Sequence, residues 1–160
     1  MNGRQELAGQ VAVVTGGSGA IGSAIIAALQ EAGARAVSLD LAVPARAGEP
    51  WVKCDMREDG SVAAAIEQVR SEYGRLDLVI HAAGVSRDAV VWKLTVDDWD
   101  LVQAVNLHGA FLLIRHAVPV LRLGPGGRIV LIGSINGSRG KFGTSAYSAS
   151  KAGLLGLAKS

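Results

Sequence analysis

The feature that most constrains this chain is the place where its first glycines fall. An apolar stretch, Val11–Thr15, runs directly into Gly16-Gly17-Ser18-Gly19-Ala20-Ile21-Gly22, and a helical pattern follows over Ile21–Ala32. A strand that passes into a helix over so few residues needs backbone that turns tightly, which glycine supplies without steric cost. The helix that begins there points unpaired N–H groups and the positive end of its dipole back at the turn, a ready cradle for a phosphate. A glycine cluster in an ordinary loop carries little meaning; one flanked by a strand and a helix reads as a dinucleotide turn.

The next apolar run supports this. Ala36–Asp40 ends in a carboxylate eighteen residues beyond Gly22, near the offset at which an acid accepts hydrogen bonds from the adenosine ribose hydroxyls and repels a 2′-phosphate. NAD is therefore favoured over NADP, with Arg35 and Arg46 as the side chains that could override the rule. The plainer reading of Asp40 is a solvated strand end.

Short β-branched runs alternate with helical patterns along the whole chain, the signature of a doubly wound α/β fold with a parallel, Rossmann-type sheet. Strands are expected at Val11–Thr15, Ala36–Asp40, Trp51–Cys54, Leu78–His81 and Arg128–Ile132. Their near-continuous apolar character fits strands covered on both faces. Helices are expected at Ile21–Ala32, Ser61–Tyr73 and Asp97–Arg122, with a last one from about Ser145. Gly33 closes the first, Asp59 or Ser61 caps the second, and Thr95 with Asp98 resembles a capping box for the third. Pro119 predicts a kink or early end in that third helix. The 160 residues read as a single domain.

Composition excludes several classes. A net charge of +2 with scattered basic residues lacks the footprint of a nucleic-acid binder. The only cysteine, Cys54, allows no internal disulfide and no thiolate cluster. His81, His108 and His116 lack partners at ligand spacing, so no metal is expected, and Trp51, Trp92 and Trp99 read as packing residues. Met1–Gln10 has no apolar leader and no stretch approaches the roughly 18 uninterrupted apolar residues of a membrane span, so a soluble, cytoplasmic protein is expected.

The second chemical constellation lies near the C-terminus. Tyr147 and Lys151 stand one helical turn apart, and Ser134 lies thirteen residues before the tyrosine at a strand end. Reduction of a carbonyl by hydride needs a proton donor at oxygen, and a phenol with pKa about 10 is sluggish near neutrality. A lysine on the same face places a positive charge where it favours the tyrosinate. A serine can hydrogen-bond the substrate oxygen as charge develops on it. Taken singly each has a bland alternative; taken together after a dinucleotide turn, they do not.

At these residues the chain resembles the short-chain dehydrogenase/reductase family. Thr15–Gly22 matches its TGxxxGxG turn except at Ala20, Tyr147-Ser148-Ala149-Ser150-Lys151 is its YxxxK motif, and Asn106 with Ser134 completes an Asn-Ser-Tyr-Lys tetrad. His81-Ala82-Ala83-Gly84 stands where the family has NNAG, agreeing only in its last two residues. The resemblance implies catalytic roles for Asn106, Ser134, Tyr147 and Lys151, with Lys151 also holding the nicotinamide ribose and Asn106 anchoring a water. It implies cofactor contacts from Gly16, Ser18, Gly19, Ile21, Gly22, Asp40, Asp55, Met56, Ala82, Gly84, Tyr147 and Lys151, although Met56 reads equally well as core filler. The implied activity is interconversion of a carbonyl and a secondary alcohol, most like the 3-oxoacyl-carrier-protein reductase branch, in a homodimer or homotetramer. A catalytically inactive dinucleotide-binding scaffold is the alternative. Further strands are implied beyond the fifth, so the 160-residue chain alone is expected to leave Leu154, Leu155 and Leu157 uncovered and to lack turnover.

Overall fold

The computed structural model describes residues 6–44 and 48–160; residues 1–5 and Arg46 lie outside the described residues. Strands β1 (Val11–Thr15), β2 (Arg35–Asp40), β3 (Trp51–Lys53), β4 (Leu78–His81) and β5 (Arg128–Leu131) form one parallel sheet in the order β3-β2-β1-β4-β5. The reversal of strand order at β1 sets the crevice for a ligand at the carboxyl ends of β1 and β4.

Because side chains alternate along a strand, the sheet has two apolar faces. Ala12 and Val14 of β1 join Ala36, Leu78 and Ile80 under Ile26 of helix α1 (Ala20–Glu31). Val11 and Val13 join Val37, Leu39 and Val79 under helices α2 (Asp59–Tyr73) and α4 (Gly109–Leu121). Helices on both faces make this the doubly wound architecture that the alternating pattern predicts.

Several boundaries depart from the sequence expectations. Helix α2 starts at Asp59 after an extended Glu58 with no side-chain cap, and Ser61 instead accepts a hydrogen bond from the Asp55 N–H at 2.9 Å. Thr95 does cap α3 (Val96–Gln103), accepting from Asp98 N–H at 3.1 Å. The expected single helix over 97–122 is α3, a π-helical turn at Ala104–His108, and α4, which carries Pro119 in its last turn and ends at Leu121. Ser134 caps a short helix α5 (Ile135–Arg139) that hydrophobic periodicity is too short to reveal, and α6 spans Ser145–Lys159.

Among the described residues strand β5 lies at the edge of the sheet, with Ile129 and Val130 exposed, where burial on both faces is expected from its apolar run. Leu154, in contrast, is buried, while Leu155 is exposed. The continuous segment Val96–Leu121 is, by length and composition, apolar enough to cross a membrane, although polar residues interrupt its apolar run. Here it packs on α2, α6 and β4 as a core element.

Candidate active site

The cradle is built at the end of β1. Gly16 sits at φ +66°, and a Cβ there would approach Ala83 Cα to 2.7 Å, so the turn and the β4 loop meet backbone to backbone. A Cβ on Gly22 would run into the Gly16 carbonyl oxygen. Gly19 N–H closes the turn on that same carbonyl at 3.0 Å. With Gly19 extended and no side-chain cap, the first-turn N–H groups of Ala20, Ile21 and Gly22 have no intrahelical acceptor. Those residues line a cavity of about 730 Å³. Ala20, where the family turn has glycine, is exposed and lines the same cavity.

The cavity gathers Gly16, Ser18, Gly19, Ile21, Gly22, Asp40, Asp55, Met56, Ala82 and Gly84 along one wall-to-wall path. Asp40 is fixed by two backbone donors, Ser18 N–H at 3.0 Å and Ala42 N–H at 3.1 Å, while the Ser18 hydroxyl donates to the Ala42 carbonyl at 2.8 Å. This carboxylate therefore belongs to the glycine turn as much as to its own strand. Arg35, one of the two candidates for overriding it, stands at the opposite end of β2 with its guanidinium 5.5 Å from the Tyr73 ring centre. It is removed from the cavity by the length of the strand. Met56 satisfies both of its readings, lying in the core cluster and in the cavity wall.

Sequence reasoning missed Arg57, which lines the same cavity and pairs with Asp55 at 2.6 Å, holding that carboxyl below the usual carboxylate range. The Asp-x-Arg spacing at 55–57 was the available signal. Arg87, also in the wall, pairs with Asp98 at 3.3 Å. Cys54 borders the cavity, but burial pushes its thiol up to about 11, which leaves it an inert thiol near neutrality.

Beyond Gly84 stand the remaining candidates. A Cβ built on Gly84 would lie 3.5 Å from Asn106 Oδ1 and 3.6 Å from Lys151 Nζ. Lys151 is buried, donates to the Ile132 carbonyl at 2.7 Å, and places Nζ 5.7 Å from the Tyr147 ring centre. Burial lowers its ammonium below the ordinary lysine range. Asn106, buried in the π-helical turn, is bound on all sides: Oδ1 accepts from Val85 N–H at 2.8 Å, and Nδ2 donates to the Val85 carbonyl and the Ser150 hydroxyl, each at 3.0 Å. Such π turns recur at functional sites. Ser134 lies past the end of β5 and its hydroxyl accepts from Asn136 N–H at 3.2 Å. Within α5, Gly137 packs so closely that a Cβ would approach the Lys151 carbonyl carbon to 2.7 Å, fixing Ser134's helix against α6.

Three residues outside the site depart from their sequence readings or refine them. Trp92 is 72% exposed and so is not a packing residue, whereas Trp51 donates its indole N–H to the Asp40 carbonyl at 3.2 Å. His116 has a carboxylate partner after all, Asp59 at 2.8 Å, linking α4 to α2. Among the described residues, no three metal-ligating side chains gather.

Comparison with known proteins fits this geometry. The family pattern described as short chain dehydrogenase matches residues 10–160. The chain belongs to the short-chain dehydrogenase family. Family members are oxidoreductases that bind a nicotinamide dinucleotide, which suits the open first turn of α1 and the glycines whose Cβ atoms the turn excludes. The chain is 38% identical over 157 residues to an acetoacetyl-CoA reductase of Shinella zoogloeoides, covering 94% of this chain and 65% of that protein. It is 30% identical to a 3-oxoacyl-[acyl-carrier-protein] reductase of Salmonella typhimurium, covering 95% of this chain and 66% of that one. Its fold superposes on ligand-free aldohexose dehydrogenase of Thermoplasma acidophilum with a TM-score of 0.94 at 29% identity, covering 98% of this chain and 62% of that chain. The chain thus spans less than two thirds of the length of these relatives.

Proposed function

We propose that this chain carries the dinucleotide-binding and proton-transfer machinery of an NAD(H)-dependent oxidoreductase that interconverts a carbonyl and a secondary alcohol, with a 3-oxoacyl thioester as substrate. The observation that carries this reading is the convergence on Gly84 of the cavity wall, beside which Asn106 and Lys151 stand, with Lys151 in turn over the Tyr147 ring. A bound nicotinamide dinucleotide supplies or takes the hydride. In the reducing direction, the Tyr147 hydroxyl gives its proton to the substrate oxygen while the Ser134 hydroxyl donates a hydrogen bond to that oxygen. The Lys151 ammonium stabilises the phenolate left behind. Asn106, itself fixed by Val85 and Ser150, holds the loop after β4 against α6 so that these groups keep their places.

Asp40 supports NAD over NADP, since a carboxylate already tied to the Ser18 and Ala42 amides presents negative charge where a 2′-phosphate would sit. The thioester class is supported by the two reductase relatives. A cytoplasmic homo-oligomer accords with the lone buried thiol and with the exposed Trp99 and Phe111 on the long helical segment. The test is turnover by the protein expressed from its complete reading frame, with NADH and acetoacetyl-CoA, against an aldose with NAD as comparison. Oxidation of NADH that depends on the thioester supports the proposal; tight NADH binding with no turnover of any carbonyl substrate would favour a binding scaffold instead.

A further inference from the structure

His81 stands where the family's motif has asparagine, and the fold gives it a different set of partners. Thr15 and His81 are direct neighbours in the β1–β4 ladder. Both are fully buried at the end of the sheet beneath the cavity floor formed by Ala82 and Ala83. The Thr15 hydroxyl lies 3.0 Å from His81 Nδ1, and His81 Nε2 lies 3.1 Å from the backbone carbonyl of Asn106 in the π-helical turn.

The protons in this chain of contacts can be assigned. A carbonyl only accepts, so Nε2 must carry the hydrogen, and a neutral ring then leaves Nδ1 as an acceptor. Thr15 therefore donates to Nδ1, and its oxygen in turn accepts from Ala83 N–H at 3.1 Å. Every donor meets an acceptor in one arrangement and in no other. Reversing the tautomer would aim a bare Nε2 lone pair at the Asn106 carbonyl and leave buried polar groups unpaired. Charging the ring would add an N–H at Nδ1 and a positive charge in the interior, close to the Lys151 ammonium; burial foremost pushes His81 down to about 4.

We infer that His81 is a positioning residue for Asn106, held as the Nε2–H tautomer so that it ties the π-helical turn to the carboxyl ends of β1 and β4. The inference rests on the proposed role of Asn106 but concerns its placement only. Val85 and Ser150 hold the Asn106 side chain from the cavity loop and from α6, and His81 holds its backbone from below. Loss of the His81 bond lets the turn shift, and the first contact to feel it is Val85 N–H to Asn106 Oδ1.

The test is nitrogen NMR of the His81 ring in the full chain, together with amide exchange in three variants. The wild-type ring is expected to show a protonated Nε2 and a bare Nδ1. His81→Phe keeps ring volume and loses both bonds, His81→Asn keeps reach only toward Thr15, and His81→Gln keeps an N–H near the Nε2 position. Exchange of the Val85 amide is expected to rise about tenfold or more in the Phe and Asn variants and to stay within about threefold of wild type in Gln, while the Val13 and Val79 amides hold. If His81→Phe does not fold, the Gln and Asn variants and the tautomer decide. A protonated Nδ1, or equal Val85 protection in the Asn and Gln variants, overturns the inference. None of these readouts involves turnover, so a failed activity proposal leaves them unaffected.

Discussion

Acidification is the perturbation whose effect the buried His81 makes calculable. In the folded chain the ring is neutral, with its pKa pushed down to about 4 by burial first, the Asn106 carbonyl opposing and the Lys151 charge adding. In the unfolded chain an ordinary histidine takes its proton near pH 6.5. Between these values the unfolded state binds a proton that the folded state does not, so stability is lost as pH falls from about 6.5 toward 4 and is fully present above that window. The whole gap is worth roughly 3 kcal/mol, and about 2 kcal/mol is already lost at pH 5. For a chain of this size that corresponds to a fall of about 4–8 °C in melting temperature. The carboxyls of Asp55, Asp59 and Glu67, held low by Arg57, His116 and Arg70, act in the same direction but only at lower pH. Thermal melts from pH 7.5 to 4.5 on wild type and His81→Phe isolate the histidine: the wild type should lose the stated amount and the variant should be nearly flat down to pH 5. A wild-type melting temperature constant within about 1 °C over that range would refute the assignment of a buried neutral ring.

Other expectations follow from the cradle. Asp40→Ala removes the acceptor for Ser18 and Ala42 N–H; calorimetry should show NADH binding weakened about tenfold and the gap to NADPH narrowed. Wild-type affinity for NADPH equal to that for NADH would contradict this. Gly22→Ala forces a methyl against the Gly16 carbonyl, and urea unfolding should show a loss of about 1–3 kcal/mol, whereas an unchanged midpoint would mean the turn is slacker than described.

Much of this was legible in the sequence because it rests on local rules. β1 and β4 fall at their expected bounds, since continuous apolar runs between polar punctuation leave a buried strand little freedom. The glycine turn was readable for the same reason: Gly16 and Gly22 are demanded by backbone approach, which no other residue permits. What the sequence hid depends on partners distant in the chain. The π-helical turn leaves no mark on a 3.6-residue period, because its consequence is where Asn106 points, and that is decided by Val85, Ser150 and His81. Arg35 misled because proximity to Asp40 in sequence is distance along a strand, six residues from one end to the other. The exposure of β5 is a property of its edge position, and the same apolar residues would read identically in a central strand.

The proton donor proposed for the substrate oxygen is Tyr147, beside Lys151. The most direct measurement is steady-state reduction of acetoacetyl-CoA by NADH with Tyr147→Phe in the protein expressed from its complete reading frame, alongside NADH affinity by calorimetry. The account predicts that kcat falls by about 10³-fold, in the range of a lost acid catalyst, while NADH affinity stays within about threefold. Tyr147→Phe with undiminished kcat would contradict it.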